Sequence, residues 1–390
     1  MKNILYVSLV DWFWIKQRPH HVPEILSRNN RVVYFSGKGW RSVHYLKHSR
    51  LNERKYTTKA YFKLNENFTI IRKRILPNKK MSKIVNPLYR FARGINSWYI
   101  KRYLEYLNYK NKFDVIIVTT PNHLTLLSKE LLKGKLVIYD CMDNYKEFNQ
   151  NTKEELIQRE LELLRICDKV VVSSDGLYKE ITKYDVDGIC EKTFVINNGV
   201  DVKHFDPENV DQSRDITFLR SSKKKVAYIG TISSWVDLGL IQNMAKQFKD
   251  VNFYIIGPLD RNFNKDKYSQ TNNMIFTGTQ PYEIIPTILS KVDISIMPFQ
   301  KNQLVKAVNP VKIYESLAMG KPVIATRYEE TEKFGDLIFT YDSAEELESI
   351  LSKLLSQNEE ETVIRRRIEF ARENSWEKRV EQIEKLWENL

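Results

Sequence analysis

The stretch Asn309-Pro-Val-Lys-Ile-Tyr-Glu-Ser-Leu-Ala-Met-Gly-Lys-Pro-Val323 predicts a short helix followed by a strand. Asn309 suits the N-cap, and Pro310 suits the first helical position, where a missing N–H costs nothing. Gly320 is typical of the residue that ends a helix, and the apolar run 323–325 then continues as a strand.

Lys312 lies in the first turn of this predicted helix, where the helix dipole disfavours a cation. An anion bound at that end would remove the conflict, because free N–H groups and a lysine together make a phosphate site. Glu315 follows three residues later on the same face, where a carboxylate suits ribose hydroxyls. The alternative is a surface lysine beside a solvated glutamate, and the stretch alone favours neither interpretation.

Strands and helices alternate along the whole chain, which predicts an α/β fold with parallel sheets and helices on both faces. We predict six strands in each half, separated by a polar stretch that follows residue 200. Two such halves joined by one linker leave a cleft between them. Ligands of open α/β sheets bind at the carboxyl ends of the strands.

Cysteine usage and hydropathy indicate the compartment. Cys141, Cys167 and Cys190 are odd in number and show no metal-ligand spacing, which is typical of a reducing cytoplasm. No run of uncharged apolar residues approaches the length of about 18 that is needed to span a bilayer. The apolar start reaches Asp11 at once, so we interpret it as a first strand rather than a signal peptide.

The positive charge is concentrated in residues 41–112, which hold 19 Lys and Arg against 3 Asp and Glu, whereas all other residues hold 43 and 46. Aromatic residues are interleaved with the charges. This composition suits a surface that binds anionic lipid, and it also suits nucleic acid. A third interpretation is that the apolar stripe packs on the domain core and the charge only aids solubility. The stripe comprises Leu88, Phe91, Ile95, Trp98 and Tyr99.

Three successive strands of the second half end in Gly230, Gly257 and Gly278. A glycine allows a ligand to approach the backbone closely, and three at one edge favour a nucleotide pocket. Each could also be an ordinary turn glycine.

Motifs along nearly the whole chain resemble, in order and spacing, those of GT-B glycosyltransferases of the bacterial cell-surface polysaccharide and teichuronic-acid type. The resemblance implies two Rossmann-like domains facing a central cleft. Residues 1–205 would bind the acceptor, residues 206–372 the nucleotide-sugar donor, and a helix in 373–390 would pack back on the first domain. The matching segments are Gln17–His21, Tyr139–Asp143, Val171–Ser174, Val195–Asp201, Tyr228–Ile232, Phe276–Tyr282, Ile296–Phe299 and the stretch from Asn309.

The resemblance also implies the chemistry: transfer of a hexosyl group from a nucleotide-diphosphate sugar, expected to be a UDP-sugar, to a saccharide acceptor. No cofactor and no divalent metal are expected. Lys312 and the amides at its helix start would bind the diphosphate, Glu315 the ribose, and residues near Gly278 and Tyr282 the base. The implied donor-binding residues are Gly230, Thr231, Gly257, Gly278, Tyr282, Asn309, Val311, Lys312 and Glu315.

Two departures from the commonest retaining relatives limit what the resemblance implies. Those relatives carry two glutamates with seven residues between them, and the first position here is Ala307. They also carry cations after the strand that ends at Gly230, and this loop has none. The charge of the diphosphate would therefore fall on Lys312, with Lys306 as a helper.

Asp140 stands at a strand end where many relatives have His, and Asp143 follows one turn later. A carboxylate there can deprotonate an acceptor hydroxyl, as inverting transfer requires, and we favour inversion with Asp140 as the base. Capping of the following helix is the alternative for both residues. Arg18, His20 and His21 follow the first strand and are candidate acceptor contacts.

A lipid-linked acceptor would explain the basic segment, which would then hold the protein peripherally on the anionic inner face of the plasma membrane. Two alternatives are a nucleotide-sugar 2-epimerase of the same fold and a non-enzymatic protein that binds polyanions. We expect no nucleic-acid partner, because no nucleic-acid motif is recognisable and such a role would leave the second domain unexplained. Oligomeric state is not predicted.

Overall fold

The computed structural model describes residues 1–39, 60–75, 86–148, 153–260, 263–268, 270–357 and 359–388. The chain forms two compact units. Unit 1 comprises Met1–Ser173, Leu177–Ile196 and Val380–Leu390, and unit 2 comprises Ser174–Gly176 and Asn197–Arg379. Of the basic segment, residues 41–59 and 76–85 lie outside the described residues.

Unit 1 contains, within the described residues, a sheet of eight strands in the order β3-β4-β2-β1-β5-β6-β7-β8. All neighbouring strands pair in parallel except β3 and β4, which are antiparallel. Without the edge strand β3, the order is that of a doubly wound sheet, which reverses between β1 and β5. The strands are β1 Asn3–Ser8, β2 Arg31–Gly39, β3 Tyr61–Asn65, β4 Phe68–Ile75, β5 Val115–Val118, β6 Leu136–Cys141, β7 Lys169–Val172 and β8 Thr193–Val195.

Unit 2 contains, in its described part, a sheet of six parallel strands in the order β11-β10-β9-β12-β13-β14. This is the order of a dinucleotide-binding sheet, and it reverses between β9 and β12. The strands are β9 Lys224–Ile229, β10 Val251–Ile256, β11 Met274–Gly278, β12 Ile294–Met297, β13 Val323–Thr326 and β14 Phe339–Tyr341.

Helices connect most of the strands that follow one another in the described part of the chain, as the alternating pattern predicts. The helices are α1 Arg18–Leu26, α2 Asn86–Asn111, α3 Lys129–Leu132, α4 Lys153–Ile166, α5 Asp175–Ile181, α6 Ile189–Lys192, α7 Leu238–Gln247, α8 Ile285–Ser290, α9 Val311–Ala318, α10 Glu329–Glu332, α11 Ala344–Ser356, α12 Glu361–Glu373 and α13 Trp376–Glu384. No helix in the described part of the chain combines the length and the apolar character needed to cross a bilayer.

The strands β3 and β4 were missed in the sequence analysis. They form a hairpin inside the basic segment, and its turn is stabilised by a hydrogen bond from the Asn67 N–H to Asn65 Oδ1. Strand β3 lies at the sheet edge and is mostly exposed, so it lacks the apolar alternation that marks a half-buried strand. The sequence feature that indicates the hairpin is the Asn-rich turn between two short runs of aromatic and β-branched residues.

The C-terminal segment contributes to the core of unit 1. Val380, Ile383 and Trp387 are buried, and they belong to the same cluster as the side chains of β1, β2, β4 and β5. The last helix thus begins in unit 2 and continues into unit 1.

Candidate functional site

Helix α9 lies between β12 and β13, so its N-terminus stands at the carboxyl edge of the unit 2 sheet. It begins at Val311 with Pro310 as the N-cap, and the prediction that Asn309 caps it was wrong. The Asn309 amide is used elsewhere. Its Oδ1 accepts from the Asn198 N–H, and its Nδ2 donates to a carboxylate oxygen of buried Glu330 at 2.9 Å.

The end of α9 matches the prediction. Gly320 has φ 68°, a left-handed conformation in which a residue with a side chain is strained. The N–H of Gly320 bonds to the Leu317 carbonyl, and that of Lys321 bonds to the Ser316 carbonyl, which closes the helix. At the other end, the N–H of Val311 has no acceptor within the helix because it belongs to the first turn.

Lys312, in the first turn of α9, and Glu315, three residues later, lie on the same face of the helix. The Lys312 Nζ lies 2.6 Å from Glu315 Oε2. The Glu315 side chain is 4% exposed, whereas that of Lys312 is 27% exposed. The alternative of a solvated glutamate is therefore wrong, and the cation that the helix dipole disfavours has a buried carboxylate as its partner.

The three predicted glycines come together at the carboxyl edge of the sheet. The Gly230 N–H bonds to the Ile256 carbonyl, and the Gly257 N–H bonds to the Gly278 carbonyl at 3.0 Å. A Cβ on Gly257 would stand 1.9 Å from the Gly230 oxygen, so the approach of two strands requires this glycine. A Cβ on Gly278 would meet nothing within 4 Å, but its φ of 72° favours glycine.

Two polar residues complete this edge. Thr231 is exposed, and its carbonyl accepts a hydrogen bond from the Tyr228 hydroxyl at 2.8 Å. Lys306 is exposed in the turn that precedes α9, and its amine has no ion pair or hydrogen bond within the described residues. Lys306 is thus a second cation on the chain segment that leads into the helix.

Tyr282 stacks on His204, with ring centroids 4.3 Å apart and an interplanar angle of 16°. The His204 Nε2 lies 3.0 Å from the Tyr282 carbonyl, and Phe205 meets both rings edge-on. The sequence analysis did not select His204, because it lies in the polar stretch after residue 200. The stack places an aromatic platform beside the segment that follows β11.

In unit 1 the structure brings two candidates together. The Arg18 Nε lies 2.9 Å from Asp140 Oδ1, and both side chains are 3% exposed. The Tyr6 hydroxyl contacts Asp140 Oδ2 at 3.2 Å, and Arg18 also donates to the Ile196 carbonyl. Asp140 is consequently a member of a buried network rather than a carboxylate open to solvent.

His20 is fully buried, and both of its ring nitrogens have partners within unit 1. The Nδ1 accepts from the Gln17 N–H, and the Nε2 lies 3.1 Å from the Asp11 carbonyl. These two contacts fix the start of α1, so neither ring nitrogen of His20 is available to bind a saccharide acceptor. His21 is also buried, with 4% of its surface exposed.

Asp143 differs from Asp140 in its surroundings. Its side chain is partly exposed, and within the described part of the chain its carboxylate takes part in no hydrogen bond or ion pair. Burial raises the pKa of Asp143 to about 7. The 3₁₀ turn Tyr145–Glu147 has Asn144 as its N-cap without a side-chain bond, so neither aspartate caps it.

His123 is a further buried group at the carboxyl edge of the unit 1 sheet, just after β5. It is 7% exposed, and its Nδ1 has no hydrogen-bond partner among the described residues. Burial lowers the pKa of His123 to about 3, so the ring is neutral at pH 7. Among the described residues, no three His, Cys, Asp or Glu side chains are grouped to hold a metal ion.

Sequence comparisons identify similar proteins. The family model described as glycosyl transferases group 1 matches residues 223–357, which include the donor candidates from Gly230 to Glu315. The chain is 30% identical over 265 residues to TuaH of Bacillus subtilis (strain 168), a glycosyltransferase provisionally assigned to teichuronic acid biosynthesis. That alignment covers 64% of this chain and 66% of the relative, just under two thirds of its length.

Solved structures match the whole chain at low sequence identity. Sucrose-phosphate synthase from Thermosynechococcus elongatus has a TM-score of 0.74 and 14% identity, over 99% of this chain and 98% of that one. HepE of Anabaena in complex with UDP and glucose has a TM-score of 0.70 and 15% identity, over all of both chains. Residues 223–357 thus match a group 1 glycosyl transferase domain, and the two doubly wound sheets of the chain have the GT-B fold.

Proposed function

We propose that this protein is a glycosyltransferase and that it takes its sugar from a UDP-sugar bound at the carboxyl edge of the unit 2 sheet. The observation that carries the proposal is the Lys312–Glu315 pair at the start of α9. A solved neighbour of the same fold is a complex with UDP-glucose, which supports a uridine donor. The His204–Tyr282 stack would lie against the base, because aromatic faces suit planar rings.

The diphosphate would bind at the N-terminus of α9. The N–H of Val311 and the amine of Lys312 are donors at one helix end, and such an end attracts phosphate. Because the Lys312 amine is partly exposed, it can contact a phosphate oxygen without leaving the neighbourhood of Glu315. Glu315 would then accept hydrogen bonds from the ribose hydroxyls.

In the reaction, the acceptor hydroxyl oxygen forms a bond to the anomeric carbon while the bond from that carbon to the diphosphate oxygen breaks. Negative charge grows on the leaving UDP. Lys312, Lys306 and the helix dipole would stabilise it, because fixed positive charges act where charge develops. We propose that this happens without a divalent metal, since these cations are part of the chain.

The base that receives the hydroxyl proton is proposed to be Asp143 rather than Asp140. Asp140 already has Arg18 and Tyr6 as partners, whereas the Asp143 carboxylate has none among the described residues. Its pKa of about 7 suits a general base, which works best near the operating pH. A base of this kind produces inversion at the anomeric carbon.

The acceptor is proposed to be a saccharide carried on a lipid, for a cell-surface polysaccharide. The support is the relative assigned to teichuronic acid biosynthesis and the basic segment in residues 41–112. The enzyme would then work in the cytoplasm, at the inner face of the plasma membrane.

The donor site is tested by titration calorimetry of the full chain with UDP, GDP and ADP, alongside the Lys312→Ala variant. We expect UDP to bind most tightly and to lose affinity in the variant. Lys353→Ala, on the exposed face of α11, is the matched control and should bind UDP like the wild type. Equal UDP affinity in all three proteins would contradict the assigned site. UDP release from a UDP-sugar only when an acceptor is present would show transfer rather than epimerisation.

A further inference from the structure

Helix α2 has two different faces along its described side chains, which begin at Gly94. Ile100, Leu104 and Leu107 are buried at 4%, 0% and 7% exposure, so one face packs on the core of unit 1. The opposite face is also rich in apolar and aromatic side chains, but these are exposed. They are Ile95 at 38%, Trp98 at 64%, Tyr99 at 42%, Tyr106 at 53% and Tyr109 at 77%.

The exposed residues form one continuous stripe. With 3.6 residues per turn, Ile95, Trp98, Tyr99, Tyr106 and Tyr109 fall within an arc of about 120°, together with Arg102 and Lys110. The third interpretation of the basic segment, in which the predicted stripe packs on the domain core, is therefore wrong for Ile95, Trp98 and Tyr99. Leu88 and Phe91, which the prediction placed on the same stripe, have side chains outside the described ones. A contiguous exposed apolar face marks an interaction surface, whereas scattered exposed residues do not.

Cations surround the aromatic rings of this stripe. The Lys110 Nζ lies 5.8 Å from the centroids of Tyr106 and Tyr109. Lys73, on the neighbouring strand β4, donates to the Tyr99 hydroxyl at 3.1 Å. Arg102 is 69% exposed and pairs with Glu105, the one acidic residue between positions 86 and 111. The face is thus both aromatic and positively charged.

The hairpin beside the helix extends the same character. Strand β3 pairs with β4 at the sheet edge, and it exposes Tyr61 at 58% and Leu64 at 47%. Tyrosine and tryptophan have an apolar ring and a polar tip, which suits the boundary between water and the acyl chains of lipids.

We propose that the stripe Ile95–Lys110 of α2 is a docking surface that lies on an anionic lipid bilayer. Trp98 and Tyr109 would enter the headgroup region, while Arg102, Lys110 and Lys73 contact lipid phosphates. A lipid surface fits better than nucleic acid, because five apolar or aromatic side chains outnumber the two cations of the stripe, and nucleic-acid binding depends mainly on cations. The inference rests on the proposed function in one respect: the purpose of the docking surface would be to bring the enzyme to a lipid-linked acceptor.

The test is flotation of the full chain with vesicles of phosphatidylcholine alone and of phosphatidylcholine with phosphatidylglycerol. We expect binding to the anionic vesicles only. The double change Trp98→Ser and Tyr109→Ser should weaken that binding by about tenfold or more, because two side chains lose their burial. The control Ile166→Ser changes an exposed apolar residue at the end of α4, which is 40% exposed, and should float like the wild type.

Three results would overturn the inference: no flotation of the wild type, equal flotation of the double variant, or a wild-type protein that binds RNA more tightly than anionic vesicles. A dimer in gel filtration that the double change dissociates would also overturn it, because the stripe would then contact a second copy.

UDP binding of the double variant, measured by calorimetry, separates this inference from the proposed function. Unchanged UDP affinity with lost flotation supports the docking surface, and lost affinity for both would point to a misfolded variant. If the Trp98→Ser, Tyr109→Ser protein is misfolded, the test is repeated with the double charge variant Arg102→Gln and Lys110→Gln. Flotation of this charge variant at the wild-type level would contradict the proposed docking surface.

Discussion

Two ion pairs occupy the carboxyl edges of the two sheets, and they differ in burial. Arg18 and Asp140 in unit 1 are both 3% exposed. In unit 2, Glu315 is 4% exposed, but its partner Lys312 is 27% exposed. Both pairs join residues that the sequence marks as candidates, yet only the second has a charge that can reach a ligand.

The difference shows how burial divides structural from functional charges. A fully desolvated pair can lose no partner without leaving an uncompensated buried charge, so its geometry is fixed. A pair with one exposed member can add a third group, because water already contacts the cation. We therefore interpret the Arg18–Asp140 pair as a structural element of unit 1, which is expected to bind the acceptor. We interpret the Lys312–Glu315 pair as part of the proposed donor site.

The largest expected effect comes from Asp143, the carboxylate that lies outside the buried pair. Asp143→Asn should lower kcat by about 10²–10⁴-fold, the range for loss of a general base. In the wild type, the rate should rise with pH through about 7, because the raised pKa of Asp143 leaves it protonated below that value. Initial rates of UDP release against pH measure both effects. A wild-type profile that is flat from pH 5 to pH 9 would exclude Asp143 as the base.

Breaking the buried pair should act on stability instead. Arg18→Ala should lower the free energy of unfolding by about 3–5 kcal/mol, because Asp140 would stay buried without its cation. Urea unfolding measures the change. The double variant Arg18→Ala with Asp140→Ala should recover part of the loss, and a double variant as unstable as the single one would contradict the explanation.

The half-exposed pair should respond in the opposite way. Lys312→Ala should lower the unfolding free energy by less than Arg18→Ala does, because only one member of this pair is fully buried and water already reaches the Lys312 amine. It should weaken UDP binding by about 1.5–3 kcal/mol, the value of a hydrogen bond to a charged group. A variant that unfolds more easily but binds UDP normally would reverse the roles assigned to the two pairs.

The smallest expected effect is that of metal removal. In the proposed donor site Lys312, Lys306 and the start of α9 supply the positive charge at the diphosphate, so EDTA should leave the rate of UDP release unchanged within error. Restoration of a lost rate by Mg²⁺ or Mn²⁺ would show that the lysines are not sufficient.

Most of the fold could be predicted from local patterns. Strands such as β10, β12 and β13 are buried throughout and consist mostly of apolar residues, and Gly320 ends α9 as its conformational freedom predicts. The hairpin β3–β4 was missed because an exposed edge strand lacks that pattern. Asn309 was assigned to the helix cap because its sequence position suits one, but it bonds instead to Asn198 and Glu330, 111 and 21 residues away.

The order of the amino acids was enough to predict two halves with parallel sheets, a lysine and a glutamate on one face at the start of a helix, and a concentration of positive charge in one segment. These properties depend on neighbours within a few turns of the chain. Which candidate residues are used in packing, and which face of α2 is exposed, depends on contacts between distant parts of the chain. Arg18 and Asp140 are 122 residues apart, and their burial depends on contacts that no local pattern records.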